Sequence, residues 1–208
     1  MPTDTDSHFY EPREGHDLPH DPFNAIVAPR PIGWVSTRSA DGVVNLAPYS
    51  FFNAFAYSPP IIGFASTSPK DSVTNAESTG AFCWNLVTED LAEAMNATSA
   101  VVPADVDEFE LGGLTPVPGR VVDVPYVAES PVAFECRTSQ VIRLSAADGT
   151  PAQSWLTLGE VVGVHIARDL LVDGVYDTAA ARPLLRGGGP TAYFGIRPEH
   201  RVDLRRPR

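Results

Sequence analysis

Lysine is almost missing from this chain of 208 residues: Lys70 stands alone among 15 basic side chains, against 26 acidic ones, for a net charge of −11. So acidic a protein repels phosphate backbones and anionic lipid, which disfavours nucleic-acid and membrane-surface partners. The arginines are scattered except at the very end, between Arg201 and Arg208. Long apolar runs are missing too, and nothing approaches the roughly 18 residues of a membrane-crossing helix. The first 22 residues, rich in Asp, His and Pro, hold no apolar core of a secretory signal, so the expected compartment is the cytoplasm. Cysteine is scarce. Cys83 and Cys136 sit in apolar, strand-like runs and read as reduced core residues. The usual signatures of dinucleotide folds, phosphate loops, serine hydrolases and helical zinc proteases are all absent. His8, His16 and His20, separated by Pro and Gly, form no recognisable metal cage and read as surface or capping histidines.

What remains is the composition of an ordinary globular protein, long enough to bury roughly 70% of its unfolded surface without metal or disulfide. One domain over residues 1–208 is expected, with residues 1–22 as an N-terminal arm. Asp21-Pro22 supplies a start for a short helical turn through Phe23–Val27, stopped by Pro29. Pro31–Thr37 and Val43–Ala47 flank Ala40-Asp41-Gly42 and read as a hairpin. Pro48 to Pro60 reads as an irregular aromatic stretch, followed by a buried strand over Ile61–Ser66. A helix is expected from Pro69 to just before Gly80, then a strand over Ala81–Leu86 and a helix capped by Thr88 over Glu89–Thr98. Residues 103–125 form a long excursion rich in Asp, Gly and Pro. Val132–Ser145 alternates, with Phe134 and Cys136 on one face and Glu135, Arg137 and Arg143 on the other, and Trp155–Ile166 alternates after the turn at Asp148-Gly149. Gly159 and Gly163 permit bends. Long, glycine-bent antiparallel strands with two helical insertions suit a small β-barrel.

Two stretches carry chemistry. Ser66-Thr67-Ser68-Pro69-Lys70-Asp71-Ser72 gathers hydroxyls and the one lysine at an expected helix N-terminus, where free amides and the helix dipole attract anions. The alternative is a Ser68/Asp71 capping box with Lys70 as a surface charge. Asn45-Leu46-Ala47-Pro48-Tyr49-Ser50-Phe51-Phe52-Asn53 mixes small, polar and aromatic groups at a strand end, as a flat heteroaromatic ligand requires. Its bland alternative is that Phe51, Phe52, Phe55 and Tyr57 plug the barrel end. His165 points to a pocket or to a subunit surface, and a hydrogen-bonded structural histidine is the better reading.

Several segments together are similar to the flavin reductase-like, FMN-binding split-barrel family. They include Pro19-His20-Asp21-Pro22-Phe23, Ala28-Pro29-Arg30-Pro31-Ile32-Gly33-Trp34, Asn45 to Asn53, Pro59-Pro60 and Lys70-Asp71-Ser72. Phe109 with Gly113-Leu114-Thr115, Phe134-Glu135-Cys136, Gly159 to His165, and Arg186-Gly187-Gly188 followed by Tyr193 complete the set, which spans nearly the whole chain in order. The resemblance implies a mainly β, Greek-key split β-barrel with a few helical insertions, working as a homodimer with FMN at the interface. It places the FMN phosphate against Lys70 and Ser72, with Ser66 and Asn53 nearby, and the ring along Ala47, Pro48, Tyr49 and Ser50. Asn45 and Phe52 belong to the same stretch, Tyr193 or Trp34 approaches from the tail or the partner subunit, and Thr37 and Arg30 are weaker candidates. The implied activity is a flavin reductase in which NADH or NADPH, as transient donor, gives hydride to the flavin, with a partner oxygenase as one possible recipient. The alternatives are an FMN-dependent enzyme with its own organic substrate and an FMN electron carrier. No separate nicotinamide motif exists, so the donor stacks directly on the flavin.

Overall fold

The structure, a computed structural model, describes residues 7–207; the first six residues of the expected arm, and Arg208 of the terminal arginine cluster, lie outside the described residues. Seven strands form one antiparallel sheet: β1 (Gly33–Arg38), β2 (Val44–Tyr49), β3 (Phe52–Tyr57), β4 (Pro60–Ser66), β5 (Ala81–Asn85), β6 (Val132–Ser145) and β7 (Pro151–Ile166). Their spatial order is β2-β1-β5-β6-β7-β4-β3. The two edge strands, β2 and β3, are joined by only Ser50 and Phe51. Three Cα steps span at most about 11 Å, so the sheet must curl until its edges meet. They meet without pairing, and that seam is the split of the barrel.

Local chemistry explains the elements. Gly42, with φ +89°, closes the expected hairpin between β1 and β2. Helix α1 (Phe23–Ile26) begins where Asp21 Oδ1 accepts from the Phe23 amide at 2.9 Å. Helix α2 (Asp71–Thr79) ends on Gly80 in the left-handed conformation. The bends of β7 fall at Leu158/Gly159 and Val161/Gly163. Gly159 also serves a close approach, because a Cβ there would stand 2.4 Å from the Phe82 ring.

One aromatic cluster fills the barrel: Tyr49, Phe64 and Phe82 with Val35, Ile62, Val73, Ala76 and Cys136. A second lies under the excursion and holds Ile32, Trp34, Leu46, Met95, Phe109 and Val127. Trp34 and Val35, neighbours on β1, are therefore both fully buried, one on each face. The excursion contains α3 (Ala92–Ala97), α4 (Glu108–Gly112) and a small hairpin of Pro116–Pro118 with Pro125–Val127.

Four expectations are corrected. The stretch from Pro48 to Pro60 is not irregular, because β3 occupies its middle. Phe51, Phe55 and Tyr57 do not plug the barrel, being 40%, 55% and 96% exposed on this edge. Helix α2 starts at Asp71 rather than Pro69, and no Ser68 capping box forms, because Lys70 is the extended N-cap residue and its amide donates to the Ser68 carbonyl. Thr88 makes no side-chain cap, and its helix is split into a 3₁₀ turn over Glu89–Leu91 and α3.

Glu135 is not on a solvated face but fully buried. Its carboxylate accepts from the amides of Arg120, Val121 and Val122 at 2.9, 2.6 and 2.9 Å. Nε2 of His165 stands 2.7 Å from Oε1. A carboxylate only accepts, so this nitrogen carries the proton. Burial works to raise the Glu135 pKa, but the Arg120 amide, His165 and the amides of Val121 and Val122 outweigh it and hold it at about 2. His165, stacked on Tyr126 at 4.4 Å between ring centroids, is thus a structural histidine that pins the excursion to the barrel.

Candidate functional site

Strand β2 and the first turn of α2 come together because Asn45 Nδ2 donates to Ser72 Oγ at 2.9 Å, with both residues buried. Between them opens a cavity of about 340 Å³ lined by Asn45, Ala47, Pro48, Tyr49, Lys70, Asp71, Ser72 and Glu108, with the segment from Thr98 to Val102 as the facing wall. In α2 the amides of Val73 and Thr74 already donate to the Lys70 carbonyl, which leaves those of Asp71 and Ser72 without an intrahelical partner. Ser72 accepts from Asn45 and keeps its own proton to donate, with the Tyr49 hydroxyl beside it.

Buried polarity lies behind the Tyr49 wall of the cavity. Among the described residues the buried hydroxyls of Tyr49 and Ser66 lack a partner in good hydrogen-bond geometry, while the Ser72 and Ser66 hydroxyls stand close enough to the phenol to work toward lowering its pKa. Burial pushes the Tyr49 pKa up, so the phenol stays protonated and can donate. Glu108, capped into place by Asp107 Oδ1 accepting from the Phe109 amide at 2.8 Å, is 7% exposed, and its Oε2 accepts from the Leu46 amide at 3.1 Å. Burial also raises the Glu108 pKa, outweighing the Leu46 bond. Lys70 and Asp71 are exposed at the mouth.

Six of the expected ligand residues, Asn45, Ala47, Pro48, Tyr49, Lys70 and Ser72, therefore share one cavity. The others lie elsewhere. Thr37 is buried between β1 and α2, accepting from Asn75 Nδ2. The Ser50 carbonyl takes Arg30 Nε at 3.0 Å, and Arg30 also holds the carbonyls of Asn24, Val27 and Gly187. That buried arginine staples helix α1 and the tail to the barrel. Phe52 and Asn53 line a second, apolar cavity of about 320 Å³ with Trp84, Phe134 and Tyr176. There Phe52 stacks on Trp84, 5.4 Å between centroids. Tyr193 lies in a short strand paired with Leu184–Arg186, beneath the Arg186 guanidinium. Trp34 cannot face a ligand of this chain, since it is fully buried and donates to Thr98 Oγ1 at 3.0 Å. Glu108, the Thr98–Val102 wall and Trp84 are additions that sequence reasoning missed.

Among the described residues no group of three or more His, Cys, Asp and Glu side chains is placed to hold a metal ion, and no helix is long and apolar enough to cross a membrane.

Comparison with known proteins bears on the same residues. The family model described as the flavin reductase like domain matches residues 27–185. The chain is 42% identical to the protein BH2278 of Halalkalibacterium halodurans over 168 residues, covering 78% of this chain and 80% of that one. Among solved structures, nitrilotriacetate monooxygenase component B from Bacillus cereus superposes with a TM-score of 0.81 at 32% identity, over 88% of this chain and 90% of that one. The 2-nitrobenzoate 2-nitroreductase NbaA of Pseudomonas fluorescens gives a TM-score of 0.77 at 29% identity, over 89% and 88% of the two chains.

Proposed function

The chain belongs to the flavin reductase-like family, and from that premise we propose that it binds FMN in the cavity between β2 and α2 and is reduced there by NADH or NADPH. The observation that carries this reading is the convergence of the one lysine, the free amides at the start of α2 and the Ser72 hydroxyl on one cavity in a protein of charge −11. Those donors fit a phosphorylated, hydroxylated ligand, and Ala47 and Pro48 offer an apolar edge to a flat ring.

In this reading Lys70 and Ser72 hold the phosphate, with the two free amides of α2. Ser66, behind Tyr49, and Asn45, through its bond to Ser72, keep that end polar. Ala47, Pro48 and Tyr49 run along the ring, their apolar side chains limiting water, and Ser50, at the end of that strand, lies just outside the cavity. Bound flavin supplies the redox chemistry, hydride arriving from a nicotinamide stacked on the ring and electrons leaving to oxygen, free flavin or a partner oxygenase. The oxygenase is suggested by the Bacillus cereus relative, itself a monooxygenase component. No side chain need act as acid or base. Thr37 is buried against α2 and lies outside this cavity, and Phe52, Asn53 and Tyr193 lie outside it too, reaching the ligand only from a second subunit or after rearrangement. A homodimer is supported by the exposed apolar side chains of Phe55 and Tyr57 on the edge strand β3 and of Val164 on β7. Reduced, buried Cys83 and Cys136 fit a cytoplasmic protein.

The apolar cavity beside Phe52 and Trp84 favours a second reading, an enzyme that reduces its own organic substrate, and the nitroreductase relative points the same way. Anaerobic mixing of the FMN-loaded protein with NADH or NADPH tests the first reading. Loss of the oxidised flavin band with one nucleotide is expected; bleaching by dithionite but by neither nucleotide would contradict it.

A further inference from the structure

Glu108 is a buried carboxylate on the wall of the cavity with no cation beside it. Among the described residues it takes part in no ion pair, and the charged groups acting on it are Asp71 and Asp107, both acidic. Among the described residues the one hydrogen bond it accepts from another residue is that of Leu46, at Oε2. Its position is not accidental to the fold: the Asp107 cap and the fully buried Phe109 ring fix the first turn of α4, and Leu46 lies between the cavity residues Asn45 and Ala47. Burying a carboxylate costs several kcal/mol unless donors surround it. Beyond Leu46 and its own amide, a hydroxylated ligand in the cavity would supply such donors.

We propose that Glu108 is the polyol-reading group of the cavity, its open oxygen accepting hydrogen bonds from the hydroxyls of the flavin's ribityl chain. The inference rests on the flavin occupying this cavity, and it assigns the opposite ends differently. Lys70, at the start of α2, meets the phosphate. Glu108, on the facing helix, would repel a phosphate and so meets the neutral hydroxylated chain between phosphate and ring. A charged acceptor suits several hydroxyl donors and disfavours a ligand with only acceptors at that point.

Fluorescence titration of FMN, riboflavin and lumiflavin, the last lacking the ribityl chain, into wild type and Glu108→Gln tests it. The glutamine keeps a carbonyl for the Leu46 amide, and thermal melting of the variant checks the fold. The expected result is a common loss for FMN and riboflavin, roughly 5- to 30-fold as a charged acceptor becomes neutral, with lumiflavin unchanged. Glu108→Asp, which keeps the charge but shortens the reach, should show the same selectivity. An equal loss for all three flavins would reduce Glu108 to a structural role, and a gain for FMN alone would make it merely a repelling charge; either overturns the proposal. If wild type binds none of the three, the flavin reading itself fails, and this inference with it.

Discussion

Asn45 Nδ2 donates to Ser72 Oγ at 2.9 Å, tying an edge strand of the split barrel to the first turn of α2. The bond holds the serine oxygen against the strand, and the two free amides of the helix stand next to Lys70. Ser72→Ala should therefore weaken FMN binding by about 0.5–1.5 kcal/mol, a two- to twelvefold loss, because one neutral donor disappears while the amides remain. Titration by flavin fluorescence quenching measures it; unchanged affinity would remove Ser72 from the site.

The buried Glu135 makes stability sensitive to acid. Its folded pKa, about 2, lies below the ordinary value near 4.5, so the ionised carboxylate stabilises the fold above that ordinary value. The contribution, on the order of 3 kcal/mol, is lost as pH falls from about 4.5 toward 2. Glu135→Gln, which cannot accept from three amides and His165 together, should cost roughly 2–4 kcal/mol at neutral pH. It should also flatten the acid limb of a urea-denaturation series run against pH. A variant with the wild-type acid limb would show that the carboxylate does not hold residues 120–122.

Cys83 and Cys136 are free, buried and pushed by burial well above the ordinary thiol range. Both should resist a thiol reagent in the folded protein and react fully once it is denatured. Fewer than two free thiols in the denatured protein would contradict this assignment.

Light scattering of the FMN-loaded protein should give the mass of a dimer, because β3 presents Tyr57 at 96% and Phe55 at 55% exposure on an unpaired edge. Tyr57→Glu should shift the protein toward monomer. A monomeric wild type with FMN tightly held would refute the two-subunit arrangement.

Most of the barrel was legible because its signals are local. Asp41-Gly42 marks one hairpin, Asp148-Gly149 another, and the period-two pattern from Val132 to Ile166 marks the long β6–β7 pair. Strand β3 was not legible: Pro48 and Pro59-Pro60 flank it, every residue from Asn53 to Tyr57 is exposed, and a bulge between Ala54 and Ala56 breaks its register, so no inside–outside alternation betrays a strand. The α2 end of the cavity could be read from Lys70 and its neighbouring hydroxyls. Its facing wall could not. Glu108 meets Leu46 across 62 residues of chain, and Glu135 is buried by amides of a loop whose composition signals only irregularity. Such pairings depend on how the excursion folds back, which no local pattern encodes.

The central claim is that this cavity holds a flavin by its phosphate, and one titration tests it most directly: FMN and riboflavin against wild type and Lys70→Ala. Losing one charge-assisted hydrogen bond, worth about 1.5–3 kcal/mol, should lower FMN affinity roughly 10- to 150-fold. Riboflavin, which has no phosphate, should bind both proteins equally. Equal FMN affinities for the two proteins would contradict the account and return Lys70 to the solvent.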